Sequence, residues 1–208
     1  MTGMSVASDL AGIFAFVPFI ELLGLPAVVS SGRLPGSKPI PTLQYFLSFL
    51  ALKLAGTERL SHTNDHNFDA GLGLFAGLNV LPKCTAMSTY AYSLNEPALD
   101  RVQRGVAKAG QRLGLYTADT INLDFHAVPH WGDESVLDKR LRGFEECNAP
   151  QIFRHFIRGK GQVTVTADEV LVRYPKRAHN PLLRAVPWSK LPERVSWLGD
   201  RRLRLEWQ

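Results

Sequence analysis

The sequence INLDFH, residues 121–126, places a single carboxylate, Asp124, at the end of an apolar run. Apolar Ile121 and Leu123 alternate with polar residues before it, a spacing that predicts a β-strand over residues 120–125. A carboxylate fixed at a strand end can bind Mg²⁺ or Mn²⁺ and leave positions for water and phosphate oxygens. We therefore predict that Asp124 is a metal ligand, with Asp133 and Glu134 as candidate second ligands. The alternative is that Asp124 caps a turn and the other two are exposed.

Two histidines follow Asp124 and allow a second interpretation. His126 and His130 lie four residues apart, but Pro129 rules out a regular helix that would place both rings on one face. Together with Asp124 and Asp133 they could form a small metal-dependent hydrolase site.

A second histidine pair and the two cysteines are weaker metal signals. His62 and His66 are also four apart, beside Asp65, but no third ligand is evident, which favours a surface polar patch. Cys84 and Cys147 lack the spacing of a zinc finger, and a pair so distant predicts no disulfide framework. This cysteine usage is typical of a reducing compartment, so we expect a cytoplasmic protein.

Positive charge is concentrated in the last third of the chain. The net charge of the 208 residues is +5, yet residues 1–139 hold 10 basic and 12 acidic side chains, whereas residues 140–208 hold 14 and 7. A basic segment on a near-neutral body favours contact with a polyanion, most often nucleic acid, although a solvated surface has the same composition. Arg173, Lys176, Arg177 and Arg184 are the expected salt-sensitive contacts.

The N-terminal region contains an apolar run over residues 11–31. Pro18, Glu21 and Pro26 interrupt it, and the first basic residue of the chain is Arg33. A secretory signal peptide has positive charge before its apolar stretch, and a spanning helix needs about 20 uninterrupted apolar residues. We predict a buried, proline-bounded helix pair and no membrane contact.

Periodicity predicts further elements along the chain. Helices are expected over 43–55, with Thr42 as N-cap and Gly56 as the C′ glycine, and over 83–94, 97–113 and 150–158. A β-hairpin is expected over 162–166 and 170–174. Residues 175–208 have many Pro, Arg and Trp and show little periodicity.

The helix over 83–94 follows a proline turn and has the character of the second helix of a helix-turn-helix. Small polar and aromatic side chains on such a helix contact phosphates and base edges. An ordinary polar-faced helix would have the same pattern. The candidate DNA-binding residues are Lys83, Thr85, Ser88, Thr89, Tyr90 and Tyr92, joined by Lys176 and Arg177 in the basic segment.

Five long stretches of this chain resemble bacterial insertion-sequence transposases of the DDE type. They are QYFLSFLALKLAGTERLSH (44–62), DAGLGLFAGLNVLPKCTAMSTYAYSL (69–94), INLDFHAVPHWGDESVL (121–137), LRGFEECNAPQIFRHFIRGKG (141–161) and YPKRAHNPLLRAVPW (174–188). The resemblance implies an RNase H-like nuclease core whose first catalytic Asp is Asp124, with Mg²⁺ or Mn²⁺ as cofactor in a competent enzyme. It also implies terminal inverted repeats of DNA as partner.

The chain departs from that family at residues 137–140. Leu137-Asp138-Lys139-Arg140 joins segments between which the family has a long stretch with its second and third acidic residues. A two-metal site does not assemble without those ligands. The resemblance therefore implies a DNA-binding protein that does not cleave or transfer DNA by itself, in homo-oligomers or in mixed oligomers with a full-length transposase. Regulation of an intact transposase is the alternative function.

The predicted fold class is α+β with three parts. Residues 1–115 form a helical, DNA-binding region, and residues 116–138 form the first strand and turn remaining from an RNase H-like core. Residues 139–208 form a basic segment with a helix and a small β-hairpin.

Overall fold

The computed structural model describes residues 3–57, 59–115 and 149–208, and its fold is α+β. The helices are α1 (Val17–Leu23), α2 (Leu25–Gly32), α3 (Thr42–Leu54), α4 (Ala70–Phe75), α5 (Cys84–Ser93), α6 (Glu96–Arg112), α7 (Ala149–Ile152) and α8 (Asn180–Ala185). The strands are β1 (Met4–Ser8), β2 (Gly161–Val165), β3 (Glu169–Tyr174), β4 (Arg194–Val195) and β5 (Arg201–Trp207). Short 3₁₀ helices cover Ala11–Phe16, Leu60–His66, Trp188–Lys190 and Ser196–Leu198.

Within the described residues, five strands form one mixed sheet in the order β1-β2-β3-β5-β4. The predicted hairpin of β2 and β3 is confirmed, with Val163 opposite Val172. It is not a small isolated hairpin, because β1 pairs antiparallel with β2 and β5 pairs parallel with β3. A parallel neighbour needs a crossover, and α8 lies in the connection from β3 to β5.

Residues 175–208, whose sequence shows little periodicity, contain regular structure that the sequence analysis did not identify. Strand β5 lies between β3 and β4, and Leu203, Leu205 and Trp207 alternate with Arg202, Arg204 and Glu206. Strand β5 thus has the alternation of apolar and polar residues that is typical of a strand, and all of the polar residues are charged. The long Arg and Glu side chains pair across the surface of the sheet, while Leu203 is buried.

The N-terminal helix pair is confirmed as proline-bounded, and each helix buries one face, with Val17, Ile20, Leu25 and Val29 in the core. Pro18 lies in the first turn of α1 and Pro26 in that of α2, where proline is tolerated because its missing N–H has no helical partner. Gly24, with φ of 69°, ends α1 and allows α2 to begin in a new direction. Among the described helices, no single one is long and apolar enough to cross a membrane, and the apolar segments Ala11–Leu23 and Leu25–Gly32 are bent by 64°.

Helices α3, α5 and α6 match their predicted ranges to within about one residue. Gly56 follows α3 with φ of 71°, as predicted for a C′ glycine. Thr42 is not the N-cap: it is the first residue of α3, and its hydroxyl donates to the carbonyls of Leu34 and Pro35 at 3.0 and 3.1 Å. The helix predicted over 150–158 is a turn of α7 followed by a π-helical turn, Phe153–Ile157.

One hydrophobic core joins the beginning and the end of the chain. Ile13 and Phe14 from the first 3₁₀ helix pack in the same buried cluster as Val163 and Val172 from the sheet. Tyr174 lies among them and donates from its hydroxyl to the carbonyl of Ala11 at 3.1 Å. The predicted parts 1–115 and 139–208 thus share a core and a sheet, while the predicted part 116–138 lies outside the described residues.

Candidate nucleic-acid interface

The predicted metal site lies outside the part of the chain that the structure describes. This holds for Asp124, His126, His130, Asp133 and Glu134, so their roles stay predictions. Residues 3–57, 59–115 and 149–208 contain no group of three or more His, Cys, Asp or Glu side chains placed to hold a metal ion. His62 and His66 lie in the 3₁₀ helix Leu60–His66, and the His66 ring makes a hydrogen bond with the Thr57 hydroxyl at 3.0 Å.

Helix α5 is held at its beginning by a side chain from the preceding 3₁₀ helix. The side-chain oxygen of Asn64 accepts from the backbone N–H of Cys84 at 3.4 Å, and Lys83 is the N-cap without a capping side chain. Met87 and Tyr90, one turn apart, are the buried residues of the helix. The remaining face of α5 is therefore directed away from the core.

The structure divides the predicted DNA-binding residues of α5 into two groups. Lys83, Thr85, Thr89 and Tyr92 are exposed and Ser88 is half-buried, so a ligand can reach all five. Tyr90 is 7% exposed and stacks on Tyr45, with ring centroids 3.9 Å apart and planes at 8°. The prediction that Tyr90 contacts phosphates on an open helix surface does not agree with this burial.

The environment of Tyr90 is apolar enough to change its acidity. Burial, with a smaller contribution from Tyr45, raises the pKa of Tyr90 to about 12. Its hydroxyl is buried and has no hydrogen-bond partner among the residues that the structure describes. Tyr90 is therefore a neutral hydrogen-bonding group at physiological pH, beside the exposed face of α5.

A cavity of about 410 Å³ lies between α5 and the loop that precedes α3. Its lining residues are Pro35, Gly36, Ser37, Tyr45, Thr85, Ala86, Thr89, Tyr90 and Ser93. We call it the α5 groove. Three of the predicted DNA-binding residues, Thr85, Thr89 and Tyr90, line it. A separate cavity of about 360 Å³ is lined by apolar side chains of α1, α3 and α6, including Phe16, Phe46 and Val106.

The second candidate surface surrounds Arg177. Its guanidinium donates to the carbonyl oxygens of His155, at 3.3 Å, and of Arg158, at the end of the π-helical turn. Gly159, with φ of 150°, lies so close to this guanidinium that a Cβ there would be 2.7 Å from it. Arg177 therefore links the segment after β3 to the segment before β2 through side-chain hydrogen bonds.

This arrangement brings several exposed cations together. The antiparallel register pairs Gln162 with Arg173, so its continuation places Lys160 beside Pro175 and next to Lys176. We call the resulting surface the basic corner, and it consists of Arg154, Arg158, Lys160, Lys176 and Arg177. Asp9 is the acidic neighbour, since its carbonyl accepts from the N–H of Gly159 at 2.8 Å.

Ion pairing separates the basic corner from several arginines of the sheet. On the sheet, Arg173 pairs with Glu206 at 3.0 Å, Arg202 with Glu193 at 3.0 Å and Arg194 with Asp200 at 3.3 Å. Considering the described residues alone, Arg154, Arg158, Lys160 and Lys176 make no such pair. Their charge is available to a ligand.

Two histidines lie at the inner side of the basic corner. The rings of His155 and His179 have centroids 4.7 Å apart, and His179 also contacts the ring of Phe156. Burial, followed by the nearby His155 and Arg177, lowers the pKa of His179 below its ordinary value. The neutral ring of His179 is thus favoured, because a positive charge on it would be both desolvated and repelled.

The sequence prediction identified part of this surface. Lys176 and Arg177 were predicted and lie in the basic corner, whereas Arg173 is neutralised by Glu206 and the Arg184 guanidinium donates to the carbonyl of Trp207. The prediction missed Arg154, Arg158 and Lys160. For Lys160, the predicted hairpin contained a usable signal, because its register brings residue 160 opposite residue 175 and thus next to Lys176.

Comparison of the chain with protein-family models, with curated proteins and with solved structures finds no match in any of the three. The resemblance to DDE transposases therefore stays a prediction from the sequence.

Proposed function

We propose that this chain is a DNA-binding protein related to DNA transposition, which contacts the phosphate backbone through the basic corner. The observation that carries the proposal is that Arg177 fixes the carbonyls of His155 and Arg158 beside exposed cations that have no carboxylate partner among the described residues. Lysine and arginine side chains in such a patch release counterions when they bind phosphates. The exposed polar side chains of α5 would supply further contacts.

The proposed relationship to transposases specifies the DNA target and the reactions that the protein would not catalyse. It makes the inverted repeats at the ends of a mobile element the expected target. The two acidic residues that the family has and this sequence lacks support binding without cleavage or strand transfer. Detection of a Mg²⁺- or Mn²⁺-dependent nick that disappears in Asp124→Asn would contradict the second half of this proposal.

The binding surface can be tested by charge removal at matched positions. We expect Arg158→Gln combined with Lys176→Gln to weaken binding to a labelled duplex and to reduce the slope of log affinity against log salt by about two, roughly one for each lost phosphate contact. The measurement is fluorescence anisotropy at several salt concentrations, with mobile-element end DNA and a shuffled duplex as probes.

The control removes the same charge elsewhere. Lys108→Gln combined with Arg112→Gln alters two exposed cations of α6 and should change the slope much less. Equal losses in the two double variants would mean that net charge alone drives binding, and the basic corner would no longer be the interface. No binding by the wild-type protein at low salt would overturn the proposed function itself.

A further inference from the structure

The α5 groove has the chemistry of a binding site for an uncharged ring. Its volume of about 410 Å³ falls within the roughly 300–1,000 Å³ of ligand pockets. None of its lining residues carries a charge, and six of them have hydroxyl groups: Ser37, Tyr45, Thr85, Thr89, Tyr90 and Ser93. A phosphate or a metal ion would find no counter-charge in such a groove.

Two of the hydroxyls, those of Thr85 and Thr89, are exposed and make no hydrogen bond to the residues that the structure describes. Ser93 is engaged, since its hydroxyl donates to the carbonyl of Tyr90 at 2.7 Å, and the Ser37 hydroxyl donates to the carbonyl of Ile40 at 3.1 Å. The Tyr90 hydroxyl has no partner among the described residues either, but its oxygen is buried. A hydroxyl both donates and accepts, so such groups suit a ligand edge that presents donors and acceptors alternately.

Aromatic rings form one side of the same groove. The nearly parallel Tyr45 and Tyr90 rings are further fixed by Phe49, whose ring centroid is 6.2 Å from that of Tyr90. Packing in the core holds all of these rings, because Tyr45 and Tyr90 are each 7% exposed. Because the two rings stack on each other and are held by the core, they form a rigid, uncharged wall against which a flat partner packs without a further loss of side-chain freedom.

We propose that the α5 groove binds a nucleobase of a DNA strand, with Thr85 and Thr89 as hydrogen-bonding residues and the tyrosine stack as an aromatic wall. The choice of a nucleobase among planar, uncharged rings rests on the proposed DNA-binding function. The groove would read bases, whereas the basic corner holds phosphates. A base that is unpaired, as in a single strand or at a duplex end, is the form that can enter it.

Deoxynucleosides test the groove independently of DNA binding, because they carry a base and no phosphate. We expect saturation-transfer NMR to detect wild-type binding of at least one of the four, unaffected by salt, and no signal from deoxyribose. Ala86→Leu fills the groove and should remove the signal. Ala107→Leu makes the same change on the exposed surface of α6 and should retain it.

A second pair of variants separates hydrogen bonding from shape. Thr89→Val removes a hydroxyl at nearly constant volume and should weaken nucleoside binding about five-fold, the effect of one ordinary hydrogen bond, while Thr89→Ser should restore it. The Arg158→Gln, Lys176→Gln double variant should keep nucleoside binding unchanged although it loses affinity for duplex DNA.

The outcomes distinguish this inference from the proposed function. Wild-type protein that binds DNA but no nucleoside, or equal nucleoside binding by Ala86→Leu and Ala107→Leu, would overturn the base-binding groove and leave DNA binding intact. Nucleoside binding that Ala86→Leu abolishes, in a protein without affinity for DNA, would support the groove and overturn the basic-corner proposal.

Discussion

At the scale of single residues, two buried tyrosines differ in the state of their hydroxyls. Tyr174 donates to the carbonyl of Ala11 at 3.1 Å, whereas the buried Tyr90 hydroxyl has no partner in residues 3–57, 59–115 and 149–208. We expect Tyr174→Phe to lower the free energy of unfolding by about 1–3 kcal/mol, because the buried carbonyl loses its donor. Tyr90→Phe removes a group that costs desolvation energy, and the same measurement, by urea unfolding, should show no loss or a small gain.

The two substitutions delete the same atom, so each controls for the other. Burial raises the pKa of both hydroxyls, which are therefore protonated in the folded state near neutral pH. A loss of stability in Tyr90→Phe as large as in Tyr174→Phe would show that the Tyr90 hydroxyl has a partner in solution.

The sequence identifies polar and aromatic residues of the α5 groove, but it does not correctly predict which of these side chains are exposed and which are buried. Thr85 and Thr89 were expected at a ligand-facing surface and line the groove. Tyr90 was assigned to the same exposed surface. Instead, Met87 and Tyr90, three residues apart, are the buried residues of α5, and the Tyr90 ring stacks on that of Tyr45. Chemical type alone placed all the aromatic residues outside, whereas helical spacing would have separated Tyr90 from Tyr92.

At the scale of elements, the helices were predictable because their signals are local. The α6 helix begins after Asn95, whose side chain accepts from the N–H of Ala98 at 3.0 Å, and ends before Gly114 at φ of 67°. Strand β1 was missed because five residues, MSVAS, contain little local signal and pair with β2 more than 150 positions later. Strand β5 was missed although its alternation is visible, because its arginines resembled an unstructured basic tail.

Leu203 measures how much β5 contributes to the core. Its side chain is 8% exposed in a strand that pairs on both sides, so Leu203→Ala should lower the free energy of unfolding by about 2–5 kcal/mol. Leu99→Ala makes the same change at a site of α6 that is 38% exposed and should change stability by less than about 0.5 kcal/mol. Chemical denaturation would measure both.

Similar small effects in both variants would contradict the central position of β5. A large effect in Leu203→Ala alone would confirm that the last residues of the chain complete the sheet and that the C-terminal segment is not an independent basic tail.

At the scale of the whole molecule, the fold separates paired from unpaired charge. The sequence shows an excess of basic residues after position 140 but not which of them are neutralised. The sheet decides this, since β3 and β5 bring Arg173 to Glu206 and Arg204 to Glu169, at 3.0 and 3.8 Å. The positive charge that is left at the basic corner depends on contacts between segments that are distant in sequence. A local sequence pattern does not predict such contacts.

The basic corner also makes folding depend on pH. His179 has a folded-state pKa below its ordinary value of 6.5 because of burial and because His155 and Arg177 repel its charged form. Between these two pKa values the unfolded chain binds more protons than the folded one, so stability increases with pH there. We expect the wild-type protein to lose stability as pH falls below about 6.5 and through the folded pKa of His179.

Replacement of His179 tests that linkage. His179→Gln keeps a polar side chain without a titrating charge, so the decline in unfolding free energy below about pH 6.5 should become shallower than in the wild type. His62→Gln removes an exposed histidine of the 3₁₀ helix and should leave the wild-type slope. Urea unfolding across the acidic range measures the slope for all three proteins. A parallel loss of stability in His179→Gln and the wild type would show that His179 is not desolvated in solution. Its surroundings would then be more open than the contacts of its ring with His155 and Phe156 indicate.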